Sequence, residues 1–265
     1  MELSEKNLFL FDIDGTVSIG EKFIPGGHEL LDYIKNTGKK YIFITNNSTR
    51  GTKSYIDKFR RMGLETDGMN FVTAATASLR YLSERYKGKK IYTVGTKSFI
   101  DELRAGGMII TEKFESGIDC VLVGFDNELT YRKIENACRI LSESEADFLA
   151  TNPDLVCPAP FGFVPDCGSI CRMITEAVGR EPVFLGKPER LIIDICLEIS
   201  GCSADETVIV GDRLYTDILS GIKSGIDTAA VLTGETDRQE ISRSEYKPNY
   251  IFDSVKDILE SIRVN

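Results

Sequence analysis

Short, almost wholly apolar runs alternate with helically spaced segments along nearly all of this 265-residue chain, and few architectures tolerate that pattern. Residues 8–13 read as a strand buried on both faces. Residues 28–36 then set Leu30, Leu31 and Ile34 at helical spacing before Gly38. Residues 41–44 form the next strand, and 52–62 the next helix, which Gly63 ends. Further strands are predicted at 91–94, 120–123, 148–150, 183–185, 207–210 and 228–232, mostly with helices between them. Strands that are apolar on both faces need helices over both faces, so the chain is predicted to be α/β with parallel sheets.

Eight or more such units are too many for one open sheet of this length. The polar residues suited to chemistry also fall into two groups, 12–47 and 187–217. This division predicts a core built from both ends of the chain, residues 1–78 plus 182–265, with an inserted domain at 79–181. Lys87-Gly88-Lys89-Lys90 and Gly179-Arg180-Glu181-Pro182 read as linkers.

Composition removes several classes of partner. With 32 Lys+Arg against 41 Asp+Glu, the net charge of −9 disfavours nucleic acid and anionic membranes. No apolar run approaches the roughly 18 residues of a membrane span, and the first residues are polar and acidic, unlike a signal peptide. Seven cysteines without a C-x-x-C pair fit reduced thiols, so a cytoplasmic protein is expected. His28, the single histidine, lies in a Gly-rich turn and reads as a surface or helix-start residue. Multi-histidine metal centres are thereby excluded.

The first strand runs into Asp12-Ile13-Asp14-Gly15. In extended chain, residues two apart share a face, so Asp12 and Asp14 are expected side by side at a C-terminal strand edge, where open α/β sheets bind ligands. Adjacent carboxylates repel and call for a cation or a shared proton. Gly15 permits a sharp turn and close approach of backbone to ligand. A calcium loop is excluded because its glycine and glutamate positions hold Val17 and Phe23. For this motif alone, an ordinary strand-end turn remains the alternative.

Other strand ends add matching chemistry. Thr45-Asn46-Asn47-Ser48 offers donors to an oxyanion, or caps for the following helix. Gly186-Lys187-Pro188 puts a cation before a helix, and the segment from Gly211 to Asp217 contributes Asp212 and Asp217. Four such ends together describe a Mg²⁺ and phosphate site. The chain has no G-x-x-x-x-G-K-[ST], no arginine six places after a cysteine and no G-x-G-x-x-G, which leaves an aspartate nucleophile.

In order and spacing, Asp12-Ile13-Asp14-Gly15-Thr16, Thr45, Lys187 and Gly211-Asp212 resemble the motifs of the haloacid dehalogenase superfamily of phosphatases. The insert resembles that superfamily's class II cap. Thr45-Asn46-Asn47-Ser48, Ala150-Thr151-Asn152-Pro153-Asp154, Gly186-Lys187-Pro188 and the segment from Gly211 to Asp217 are similar to the NagD-like branch. The resemblance implies a Rossmann-like parallel-sheet core with an inserted α/β cap. It also implies Mg²⁺-dependent hydrolysis of small phosphorylated metabolites, such as sugar phosphates, nucleoside monophosphates or 4-nitrophenyl phosphate. Asp12 would form an aspartyl-phosphate, and Asp14 would serve as acid and then base.

By the same resemblance, Mg²⁺ is held by the Asp12 carboxylate, the Asp14 backbone carbonyl and Asp212, while Asp217 orients bound water or Lys187. Phosphate binding falls to Gly15, Thr45, Asn46, Asn47 and Lys187. An acid at position 14, where ion-pumping members carry Thr, favours hydrolysis. Substrate specificity is expected from Asp154, Phe161, Phe163 and Asp166 of the cap, with packing inside the cap as the alternative for the two phenylalanines. Asp166 stands where related caps often have Gly, and it leans away from a carboxylated leaving group. Two other functions are weighed: a non-catalytic sensor of phosphorylated ligands, and a phosphotransferase or mutase. The oligomeric state stays open, a homo-oligomer included.

Overall fold

A computed structural model describes residues 2–159 and 161–263. The chain divides into two compact units, one of residues 1–45, 52–72 and 187–265, the other of residues 46–51 and 73–186.

The chain opens with β1 (Leu8–Phe11), the hairpin strands β2 (Ser18–Ile19) and β3 (Lys22–Phe23), then α1 (Gly27–Asn36) and β4 (Lys40–Thr45). Next come α2 (Thr52–Arg61) and β5 (Phe71–Thr73). The second unit follows with α3 (Ala74–Arg85), β6 (Lys90–Val94), α4 (Lys97–Ala105), β7 (Ile109–Thr111), β8 (Cys120–Val123), α5 (Tyr131–Glu143) and β9 (Asp147–Ala150). A hairpin of β10 (Val156–Ala159) and β11 (Gly162–Pro165) leads to α6 (Cys167–Val178) and β12 (Val183–Phe184). The chain then returns to the first unit through α7 (Leu191–Ser200), β13 (Thr207–Gly211), α8 (Leu219–Ser224), β14 (Asp227–Val231), α9 (Arg238–Arg243), β15 (Tyr250–Phe252) and α10 (Val255–Arg263).

The first sheet has the order β15-β14-β13-β1-β4-β5. β1 pairs in parallel with both β13 and β4, with Phe11 opposite Val210 and Phe43. From β1 the chain steps outward to β4 and β5 on one side, and from β13 to β14 and β15 on the other. The direction of winding therefore reverses between β1 and β13, and the crevice at the C-terminal ends of these two strands is the natural ligand position of such a sheet. All four residues of β1 are buried because helices cover both faces, which explains its unbroken apolar sequence. On one face Phe43 stacks on Phe59 with ring centroids 4.4 Å apart, and Phe71 lies 5.3 Å from Phe43. These contacts bind α2 and β5 to the sheet.

The second unit holds its own parallel sheet, ordered β12-β9-β8-β6-β7. Val94, Val121, Val123, Phe148, Ile170 and Ile174 belong to its core. One expectation needs correction here. The strand predicted at 183–185 is not a core strand end: β12 pairs with β9 in the second sheet, with Val183 opposite Leu149. A two-residue edge strand carries no periodicity that could assign it to either sheet. Lys187 accordingly stands where the chain re-enters the first unit. The insert was expected at 79–181, whereas the second unit takes up α3 entirely and continues to Gly186. Among the described residues, no helix is long and apolar enough to cross a membrane.

Candidate active site

Asp12 directly follows β1, and its N–H continues the ladder to the Val210 carbonyl at 2.9 Å. The register sets it beside Gly211-Asp212 on one side and Ile44-Thr45 on the other. Lys187 reaches the same place: its Nζ lies 2.5 Å from Asp12 Oδ1 and 2.7 Å from Asp217 Oδ1. Asp217 is presented by a single π-helical turn, Leu214–Ile218, in which the Ile218 N–H bonds the Arg213 carbonyl five residues back. Its second oxygen accepts the Arg213 N–H at 3.1 Å.

Asp212 is oriented at both oxygens. Thr16 Oγ1 donates to Oδ1 and the Glu235 N–H to Oδ2, each at 2.9 Å. The backbone crowds this carboxylate from two sides. A Cβ at Gly15, whose φ is 93°, would stand 2.7 Å from Asp212 Oδ2, and one at Gly234 would stand 2.0 Å away. Glycine is required at both positions so that the chain can clasp the carboxylate.

Asp12, Asp212 and Asp217 each bring one oxygen within 4.8 Å of the others. Burial pushes the Asp12 carboxyl up to about 8; Lys187 opposes this, while Asp217 and Asp212 reinforce it. Burial and then Asp217 raise Asp212 to about 6, against the hydrogen bond from Glu235. For Lys187, burial pulls the ammonium down, but Asp12 and Asp217 outweigh it and hold it above its ordinary value. Asp12 and Asp217 share the Lys187 ammonium, and Asp212, whose cationic neighbour is Arg213, adds a third carboxylate to the cluster. An all-oxygen set of this kind fits a hard divalent cation such as Mg²⁺.

Asp14 takes a different partner. β1 ends at Phe11, so Asp12 and Asp14 lie just beyond the strand and not on it. The Asp14 side chain is 51% exposed and bonds Lys58 Nζ at 3.2 Å. Thr45 is buried at the end of β4. Asn46 and Asn47 fall in the second unit. There Asn46 Nδ2 donates to Asp154 Oδ2 at 2.9 Å, and Asn47 Oδ1 accepts from the Thr49 N–H at 2.9 Å.

Two expectations about the cap residues change. Asp166 is buried and caps α6, accepting the Cys167 N–H at 2.5 Å, so it is a helix-start residue and not an open acid facing a leaving group. Phe161 and Phe163, on the β10–β11 hairpin, are 81% and 59% exposed, which rules out packing inside the unit for either. Sequence reasoning gave Thr16 no role beyond its place in the motif, and it missed Glu235 and Lys58. Only Lys58 left a signal, as a charge between Tyr55 and Phe59 on the apolar stripe of its helix.

Known proteins resemble the chain over nearly its whole length. Residues 9–109 match the model of the haloacid dehalogenase-like hydrolases, and residues 184–258 match a second model of the same hydrolase type. An acid sugar phosphatase of Staphylococcus aureus is 34% identical over 260 residues, covering 98% of each chain. The crystal structure of a 4-nitrophenylphosphatase from Thermotoga maritima superposes with a TM-score of 0.93 at 35% identity, over 98% of both chains. A glycerol phosphate phosphatase from Mycobacterium tuberculosis, solved in complex with magnesium, gives a TM-score of 0.90 at 26% identity, over 99% of this chain and 78% of that one.

Proposed function

This chain belongs to the haloacid dehalogenase-like hydrolases, in their NagD-like phosphatase branch, and from that premise we propose that it hydrolyses sugar phosphates and similar small phosphate monoesters with Mg²⁺. The observation that carries this reading is the cluster of Asp12, Asp212 and Asp217 at the β1–β13 crevice, with the Lys187 ammonium paired to Asp12 and Asp217. The relative's name supports a sugar phosphate as substrate. Seven unbridged thiols suit a reducing compartment, and the cytoplasm is part of the reading.

Asp12 is the nucleophile. Its carboxylate oxygen bonds to phosphorus as the ester oxygen departs, giving an aspartyl-phosphate and splitting one hard displacement into two easier ones. Asp14 gives its proton to the departing oxygen and then takes one from the water that attacks the phosphoryl group, which frees Asp12. Lys187 and Thr45 stabilise the phosphoryl oxygens, and Asp217 holds Lys187 in place. Asp12, Asp212 and the Asp14 backbone carbonyl would hold Mg²⁺, which supplies the positive charge that lets an anionic carboxylate approach an anionic ester. Substrate choice is assigned to the second unit, where Phe161 and Phe163 offer apolar surface.

The reading is tested by measuring phosphate release from sugar phosphates, glycerol phosphate, nucleoside monophosphates, phosphoglycolate, pyridoxal phosphate and 4-nitrophenyl phosphate, with Mg²⁺ and with EDTA. Turnover of sugar phosphates in Mg²⁺ and none in EDTA is expected. No release from any ester in Mg²⁺ would overturn it.

A further inference from the structure

Helix α2 buries Tyr55, Lys58 and Phe59 along one stripe. Lys58 is 4% exposed although it carries a charge. Its Nζ lies 3.2 Å from Asp14 Oδ1 and 3.2 Å from Ser18 Oγ. Among the described residues, Asp14 is the only carboxylate within ion-pair distance of this ammonium, and Asp14 Oδ2 makes no hydrogen bond. Ser18 closes the turn that carries Asp14: its N–H bonds the Ile13 carbonyl at 3.0 Å, and its carbonyl accepts the Gly15 N–H at 2.9 Å. Lys58 is thus anchored to the closure of the turn and to the acid at its tip.

An ion pair between a buried ammonium and a half-exposed carboxylate contributes little net stability, and an apolar side chain would suit this stripe at least as well. What the ammonium adds is therefore to be sought at Asp14. We infer that Lys58 is a positioning residue that holds Asp14 by Oδ1 and so confines its transferable proton to Oδ2, an inference that rests on Asp14 being the general acid and base. An ammonium can only donate, so the oxygen facing it must accept whether the carboxyl is neutral or ionised. The proton then belongs on the other oxygen. In the first half-reaction, Oδ2–H gives its proton to the ester oxygen while the bond from that oxygen to phosphorus breaks and the Asp12–phosphorus bond forms. In the second half-reaction, Oδ2 takes a proton from water while the water oxygen bonds to phosphorus and the Asp12–phosphorus bond breaks.

A misplaced acid harms esters whose leaving oxygen is basic and largely spares those whose leaving oxygen departs unaided. The test compares kcat/KM, which reports the steps through the first phosphoryl transfer, for glycerol phosphate and 4-nitrophenyl phosphate in the full-length Mg²⁺-loaded enzyme. Lys58→Met should lower kcat/KM on the order of 10–100-fold for glycerol phosphate and less than about 3-fold for 4-nitrophenyl phosphate. Lys58→Arg should recover most of the loss, and Lys58→Met should add nothing in an Asp14→Asn background. Equal losses on both esters, or a further loss in the Asp14→Asn background, would reduce Lys58 to a structural residue and overturn the inference. If Asp14→Asn alone shows no dependence on the leaving group, the assignment of Asp14 is wrong, and the role of Lys58 falls with it. Should Lys58→Met not fold, Lys58→Leu takes the same comparison.

Discussion

At the strand ends of the second unit, polar groups find partners close by. Asp126 beyond β8 takes Lys133 Nζ at 2.7 Å on one oxygen and caps the Glu128 N–H at 2.9 Å with the other. Beyond β9, Asn152 donates to the Asn46 carbonyl at 2.8 Å and accepts the Asp154 N–H at 3.0 Å. The first unit uses the same kind of parallel sheet, yet its strand ends gather Asp12, Asp212 and Asp217 within 4.8 Å of one another, with one lysine paired to Asp12 and Asp217. One sheet edge pairs Asp126 with a lysine of its own, and the other crowds three carboxylates so that a proton or a bound cation is needed to offset them. A parallel sheet supplies the crevice, and the imbalance of charge turns it into a site.

The most severe challenge to this contrast is Asp12→Asn, which should remove phosphate release by about 10⁴-fold or more with the circular dichroism spectrum unchanged. Wild-type turnover in that variant would place the nucleophile elsewhere. Lys187→Ala removes one electrostatic stabiliser and should lower kcat on the order of 10²–10³-fold, measured on any accepted ester.

Stability offers a third comparison. Folding raises Asp12 to about 8 and Asp212 to about 6 in the absence of metal. The folded state therefore holds more protons than the unfolded chain from about pH 4 up to those values, and stability must fall as pH rises through that window. Melting temperatures in EDTA should drop between about pH 5 and about pH 8, and Mg²⁺ should flatten the drop because it favours the ionised carboxylates. A melting temperature in EDTA that held steady or rose would erase the difference between the two sheet edges. The smallest expected effect lies in the balanced unit. Lys133→Met leaves buried Asp126 without its cation and should cost about 1–3 kcal/mol in denaturant unfolding, while kcat on 4-nitrophenyl phosphate stays within about 2-fold.

The parallel sheets could be read from the sequence because β1, β8 and β13 are buried on both faces and so appear as continuous apolar runs. The same logic fails for β12, whose two residues carry no period, and for the hairpin strands β2, β3, β10 and β11, which are short and partly exposed. At the site, Asp12 and Asp212 stand out as acids ending apolar strands. Asp166 misled because an acid ahead of a helix has the same spelling whether it caps the helix or faces a substrate. Lys58 went unnoticed because only the direction of its side chain, toward a turn forty-four residues earlier, gives it a task.

The clasp of Gly15 and Gly234 on Asp212 also bears on biosynthesis. Gly15 is synthesised long before Gly234. A nascent chain holding Asp12, Asp14 and the whole inserted unit still lacks the second wall of the clasp on Asp212. Hydrolytic competence should therefore arise only once Gly234 has been made, and chains truncated before Gly234 should be inert toward phosphate esters.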